Sequence, residues 1–566
     1  MAVRLLRLSP WDRRAVLVVF LSALVLGTPG AFFGLPWGKS IEGASRILAG
    51  EIPYREFWTI YAPGHFYAIA GIFWLFGKEV LAQALATVVV RAASTAAFCV
   101  LLVRVGASRP VTVVLCGVFI GMFWTTAPEL SSYDLALPLL LIAIERVVVY
   151  YRTGEGWQLG AAGLWMGLAA FFKHDVAAYV AAGAAASLFL SWILAGTRRP
   201  AAWLTATRAA TRLVGVTIPV VAVMGAWIAR LAGKDAWEDL VVFPATIFRD
   251  VRGEPYPPFL PPLQPALAWL HDRSSLGAGF RAFEELSQWI ICYVPQYLFL
   301  ATLAVLIWRR RQMEARTLAI VTICLASMPW FWVAAHVQRN THPYSMAIFS
   351  FVVGSLAWQG AGHLGRRLSP ARATLVAVLS VYAAALWVQP SISLFVLLRE
   401  WRGSRPLDLE GVRGIHLRPR EFEVYEPLGR LIRERTQSDE RIYHGVLRHE
   451  SIVVNNPIMY AVAGRRSCCR YSELHPGVTD RASVQEEIIE DIEKHDVRAV
   501  IIWKFGWSDE VLDKIRDTNR AAVEDGGSTK LNEYIASRFE SIAEFGQYDL
   551  MWRKNRHIEA ESLASP

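Results

Sequence analysis

Val80-Leu-Ala-Gln-Ala-Leu-Ala-Thr-Val-Val-Val-Arg91-Ala-Ala-Ser-Thr-Ala-Ala-Phe-Cys-Val-Leu-Leu-Val103 carries a single charge, Arg91, in an otherwise apolar or small-polar run. As a helix it would reach about 36 Å, enough to cross a hydrocarbon core about 30 Å thick. Runs of the same kind lie at 15–33, 110–127, 135–151, 157–172, 175–195, 213–232, 289–308, 317–335, 344–360 and 373–395. Together they predict eleven membrane-spanning helices. One more run, 63–77, is too short to span. Its Pro63-Gly64 start and Gly77 stop predict a re-entrant or interfacial helix.

Composition agrees with this reading. The chain is 54% hydrophobic and 19% charged, with 22 tryptophans and a mean hydropathy of +0.32. That excludes an ordinary cytosolic enzyme. The net charge of +9 does not point to nucleic acid, because the basic residues lie between apolar runs and form no basic face interleaved with aromatics. With eleven spans, Arg13 and Arg14, Arg104 and Arg109, Arg146 and Arg152, Arg208 and Arg212, Arg309 to Arg311, and Arg366 and Arg367 all fall on one side, which is the cytoplasmic one. The N-terminal segment resembles a signal peptide without an A-x-A cleavage site and reads as a retained anchor. Six cysteines show neither a disulfide framework nor metal-ligand spacing.

The expected organisation is a mainly α, polytopic membrane domain over 1–398 and an extracytoplasmic α/β domain over 399–566. In the second, 421–435 and 483–495 are amphipathic, and strands are predicted near Asp439–Gly445 and Ala499–Trp503. No P-loop or G-x-G-x-x-G string supports nucleotide binding. The outer side receives a first loop at 35–79, a loop near Glu129–Asp134, the Lys173-His174-Asp175 turn, a Pro-rich loop at 233–287 and a loop at Gln338–Pro343.

The first outer loop is richest in chemistry. Ile41, Ala44 and Leu48 share one face of a short helix that Gly50 and Pro53 end. Tyr54, Phe57, Trp58 and Tyr61 then form a belt at headgroup depth. Glu42 has an ordinary explanation as an i,i+4 surface pair with Arg46, worth about 0.3–0.5 kcal/mol. Glu56 is flanked by Arg55 and by aromatics that would partly desolvate it, conditions that suit a general base. A simple pair with Arg55 is the alternative.

The string from Leu48 to Tyr67, Leu-Ala-Gly-Glu-Ile-Pro-Tyr-Arg-Glu-Phe-Trp-Thr-Ile-Tyr-Ala-Pro-Gly-His-Phe-Tyr, closed by Phe76-Gly77, resembles the first outer loop of bacterial GT-C glycosyltransferases of the family 39 type. These are relatives of protein O-mannosyltransferases and of the aminoarabinose transferase acting on lipid A. The resemblance extends to Ser132-Tyr133-Asp134, Arg339-Asn340-Thr341-His342, Arg448-His449-Glu450, Leu474-His475-Pro476-Gly477 and Gln485-Glu486-Glu487. It implies transfer of a sugar from a polyprenyl-phosphate carrier to a lipid, glycan or protein acceptor at the outer face of the plasma membrane. Where that family places an acidic base soon after the first span, this chain reads Pro36-Trp37. Glu42 or Glu56 would then serve as the base, and Glu56 matches the family's Tyr-Arg-Asp string directly. The alternatives are an inactive lipid-binding scaffold or a polytopic lipid or sugar transporter.

Substrate contacts expected on this reading are Tyr54, Arg55, Arg91, Asp134, Lys173, His174, Arg339 and His342, with the cations placed to hold a departing phosphate. Arg91 is singled out because an ionisable group inside an apolar run is expensive. Four of them have plainer roles: Arg91 pairing with Glu79 or a carbonyl, Lys173 pairing with Asp175 or snorkelling from a helix end, Asp134 capping the next helix, and His342 as an ordinary loop residue. If Asp134 faced Glu42 or Glu56, a divalent cation could be shared. No metal is expected from the spacing.

Overall fold

The structure, a computed structural model, describes residues 8–123, 129–194, 200–252, 397–504 and 506–554, with scattered positions between 260 and 326. The runs predicted at 289–308, 317–335, 344–360 and 373–395 lie wholly or almost wholly outside the described residues. So does the loop with Arg339 and His342.

The other seven runs are helices, joined by two more in the first loop. In chain order these are α1 (Pro10–Ala31), α2 (Lys39–Leu48), α3 (Gly64–Phe76), α4 (Val80–Arg104), α5 (Arg109–Phe123), α6 (Ser132–Thr153), α7 (Trp157–Ala170), α8 (His174–Leu194) and α9 (Pro200–Trp237). Among the described residues only α1, α4 and the stretch Leu204–Ala245 combine the length and apolarity to cross a membrane. The count of eleven is not confirmed among the described residues: α7 is short, and α6 carries Glu145, Arg146 and Arg152. Glu145 is buried between Arg104 of α4 at 2.9 Å and Arg146 of its own helix at 2.6 Å, and these cations offset the cost of its charge. Helix α3, at 13 residues, reaches about 20 Å and falls short of a crossing.

Leu204–Ala245 has 42 residues, about twice what a bilayer core needs. Gly233 divides it, with φ of 55° and ψ of −128° inside the helix, a conformation glycine adopts without a Cβ clash. The apolar run 213–232 lies before this kink. Beyond the kink the chain runs into a π-turn, Glu238–Val242, and a short helix, Ile247–Arg252.

The C-terminal part begins with a two-stranded ribbon, β1 (Arg405–Pro406) and β2 (His416–Leu417). A five-stranded sheet follows, built from β3 (Arg441–Val446), β4 (Arg466–Ser467), β5 (Ala499–Trp503), β6 (Phe539–Phe545) and β7 (Tyr548–Arg553) in the order β4-β3-β5-β7-β6. Strands β3, β4 and β5 are parallel, and β7 and β6 close the sheet as an antiparallel hairpin. All five residues of β5 are buried, the continuous apolar pattern of a strand covered on both faces. On one face Leu428 and Ile432 of α10 (Pro419–Arg435) and Met459 of α11 (Ile458–Ala463) meet Ile442, Ile501 and Leu550. On the other, Ile488 and Ile492 of α12 (Ala482–Lys494) meet Tyr443, Val500 and Ile502.

The two parts share their cores. Ile41, Ala44, Ile69 and Phe73 of the first loop cluster with Leu407, Val412, Ile415, Ile458 and Val462. The ribbon docks on the end of α1, where the His416 N–H donates to the Phe32 carbonyl at 2.7 Å and the Gly34 N–H to the His416 carbonyl at 2.9 Å. Gly38, at φ of 92°, lies so close to Ile458 that a Cβ would fall 2.2 Å from its backbone nitrogen. These contacts put the sheet domain and the first loop at the same end of α1.

Candidate active site

Helix α2 starts against Glu129 of the second loop, whose carboxylate accepts from the Gly38 and Ser40 N–H groups at 3.2 and 3.0 Å. A carboxylate is stabilised at a helix N-terminus by the unpaired amides and the dipole. Lys39 then reaches Tyr61, donating to its hydroxyl at 2.5 Å and lying over its ring. Burial works against the Lys39 charge, but Tyr61, Glu473 and Glu129 hold the ammonium above the ordinary lysine value. His65, in the first turn of α3, is buried with Nδ1 2.9 Å from the Ala62 carbonyl oxygen. Its pKa is lowered to about 3 by burial and by Lys39 and Lys173, so it is neutral beside two cations from different elements.

Glu42 and Arg46 do not form the expected surface pair. Both are buried under the sheet domain. Arg46 donates to Glu51 at 2.5 Å, to the Cys469 carbonyl at 2.9 Å and to the Glu56 carbonyl at 2.7 Å. Glu42 stands beside Ser467, and its Oε1 has no partner among the described residues. Burial raises its pKa, against the pull of Arg46 and Lys78. At the Pro36-Trp37 position the chain makes a docking contact: the Trp37 carbonyl accepts from Ile458 N–H at 3.1 Å and its ring meets Trp503 edge-on.

The turn Pro53–Phe57 carries Glu56. Tyr54 takes φ of 69°, costly for a residue with a side chain and typical of strained functional turns. It is held by its N–H to the Phe57 carbonyl at 2.7 Å, its hydroxyl to the Tyr61 carbonyl at 2.7 Å, and a ring packed on Ala232 and Ala236. Arg55 forms the simple pair with Glu56, and the other Glu56 oxygen accepts from Ile52 N–H at 2.6 Å.

The group opposite this turn carries no motif that sequence reading could pick out. Asp239, on the π-turn, has a side chain only 10% exposed, 3.5 Å from Arg470 of the sheet domain. Arg470 also donates to the Tyr54 carbonyl at 2.5 Å, while its own carbonyl accepts from Trp58 N–H. Burial pushes the Asp239 carboxyl up to about 7 despite Arg470, helped by Asp235 and Glu238. His174 faces the backbone of Leu240, the next residue, and Lys173 pairs with Asp175 at 3.1 Å. Tyr54, Glu56, Lys173, His174 and Asp239 thus gather at one seam, where the long apolar helices and the sheet domain meet. π-Turns recur at functional sites, but no sequence pattern reports one.

Arg91 and Asp134 are engaged with each other. Arg91 Nε donates to Asp134 Oδ1 at 2.9 Å, and Asp134 Oδ2 closes a capping box with Ser131 at the start of α6. The carboxylate that a shared divalent cation would need beside Glu42 or Glu56 is thereby occupied. No group of three or more metal-ligating side chains occurs among the described residues.

No protein-family model matches the chain, and no curated protein sequence matches it. Among solved structures it is similar to ArnT from Cupriavidus metallidurans in the apo state, at 12% identity over 98% of this chain and 99% of the other, with a TM-score of 0.44. It is likewise similar to that protein bound to undecaprenyl phosphate, at 12% identity over 98% of each chain, with a TM-score of 0.41.

Proposed function

We propose that the protein is an integral membrane glycosyltransferase that moves a sugar from a polyprenyl-phosphate carrier to a lipid, glycan or protein hydroxyl at the outer membrane face. The observation that carries this is the seam itself. A strained turn bearing Glu56, the Lys173-His174 turn and the cation Lys39 converge at one end of the spanning helices, where a lipid-borne phosphate would lie. Direct displacement at the sugar's anomeric carbon needs a carboxylate to receive the acceptor proton and cations to stabilise the departing phosphate. Glu56 is the first-loop carboxylate at this seam, Glu42 being roofed over by the sheet domain. Lys39 and Lys173 are the cations offered for the second.

Proteoliposomes supplied with radiolabelled polyprenyl-phosphate sugar and a lipid acceptor extract test the reading. We expect transfer by the wild type. In Lys173→Met we expect a loss of about 10- to 100-fold, the scale of one charge-assisted hydrogen bond at about 1.5–3 kcal/mol. Absence of wild-type transfer with every carrier-linked sugar tried, or full transfer in Lys173→Met, contradicts it.

A further inference from the structure

We propose that Asp239, and not Glu56, is the group that takes the proton from the acceptor hydroxyl, with Arg470 as its positioning partner; this rests on the glycosyltransferase reading. The two carboxylates sit on facing elements and differ in how they are held. Both Glu56 oxygens are committed, one to Arg55 and one to the Ile52 N–H, and these bonds close the turn that carries it. Turning either oxygen to a substrate would break the bonds that close this turn. Among the described residues Asp239 has a single ion contact, to Arg470 at 3.5 Å, longer than an ordinary charge-assisted bond. Arg470 meanwhile spends its strong bond on the strained Tyr54 carbonyl, and its Nε has no partner among the described residues. It therefore fixes the turn, lies beside the acid, and keeps a donor free for a substrate oxygen.

The step balances with these groups. The acceptor oxygen forms its bond to the anomeric carbon as its proton passes to an Asp239 oxygen. The bond from that carbon to the carrier phosphate breaks, and its electron pair leaves with the phosphate, beside Lys39 and Lys173. Asp239 then returns the proton to water. The charged and titratable groups around it are Arg470 and Tyr471 of the sheet domain, Tyr54 of the first loop, His174 next to Leu240, and Asp235 and Glu238 on its own stretch. Burial and the two acidic neighbours place its titration near 7, where a base is both deprotonated and strong enough to act.

The experiment is the pH dependence of transfer under single-turnover conditions, run beside native mass spectrometry of undecaprenyl phosphate binding. The wild-type rate should fall as pH drops through about 7, because the protonated acid cannot accept. Asp239→Asn should keep lipid binding yet lose about 10²- to 10⁴-fold of the rate, the range for general-base catalysis, with no acid limb remaining. Asp239→Glu should recover part of the rate with the limb displaced. Glu56→Gln should lower the rate and keep the limb near 7. Wild-type transfer with a limb that survives in Asp239→Asn, or a rate within about threefold of wild type there, overturns this inference alone. A wild type without transfer overturns the functional reading and this inference with it.

Discussion

Arg46→Ala should destabilise the folded chain by about 3–5 kcal/mol, the usual cost of breaking a buried, hydrogen-bonded ion pair. The Arg46 side chain is 4% exposed and joins α2 to Glu51, to the Glu56 turn and, across the seam, to Cys469. Its guanidinium also lies 5.3 Å from the centre of the Phe57 ring. Truncation removes the Arg46 donor from the part-buried Glu56 carbonyl and leaves the Cys469 carbonyl with the Ser467 hydroxyl at 3.1 Å. It also leaves Glu51, 14% exposed, with only the longer Arg441 contact at 3.6 Å. Removing both charges, in Arg46→Met with Glu51→Gln, should recover much of the loss because no unpaired charge stays buried. Denaturant midpoints in detergent micelles would read both variants. A loss below about 1 kcal/mol in Arg46→Ala would place the guanidinium at the level of a surface pair.

Arg91→Ala should cost a comparable amount. Arg91 lies near the middle of α4 and is 12% exposed, and Asp134 is 5% exposed. Removing the cation strands a carboxylate among apolar helices, where burying an unpaired charge is expensive. The capping bonds from Ser131 survive the change and hold Asp134 in place. Asp134→Asn combined with Arg91→Met should be far milder than Arg91→Ala, again by about 2 kcal/mol or more. Equal destabilisation in the single and double variants, read by thermal unfolding, would mean that the pair contributes packing and not charge compensation.

The membrane helices were legible because the bilayer imposes one length and one solvent on every span, so that the runs at 80–103 and 175–195 coincide with α4 and α8. In the sheet domain, amphipathic periodicity located α10 and α12, and the apolar run Ala499–Trp503 is β5 to the residue. The hairpin β6–β7 escaped notice, its apolar and charged residues mixed by a register shift near Ser541. The site was only half visible. Tyr54 and Glu56 stood out through their local string, whereas Arg46 and Cys469 meet across 423 residues and no periodicity records such a contact. Asp239 was hidden for the same reason. Its character comes from Arg470 and from burial under a domain that starts more than 150 residues later.

Sidedness tests the central claim most directly. Leu48 ends α2 and is 43% exposed, and Leu447 of the sheet domain is 54% exposed. In right-side-out vesicles, a membrane-impermeant maleimide should label Leu48→Cys and Leu447→Cys alike, and in sealed inverted vesicles neither. Labelling of Leu48→Cys only from the cytoplasmic side would contradict an outer-face site, because the seam and its carboxylates would then lie away from a carrier-linked sugar on the outer leaflet.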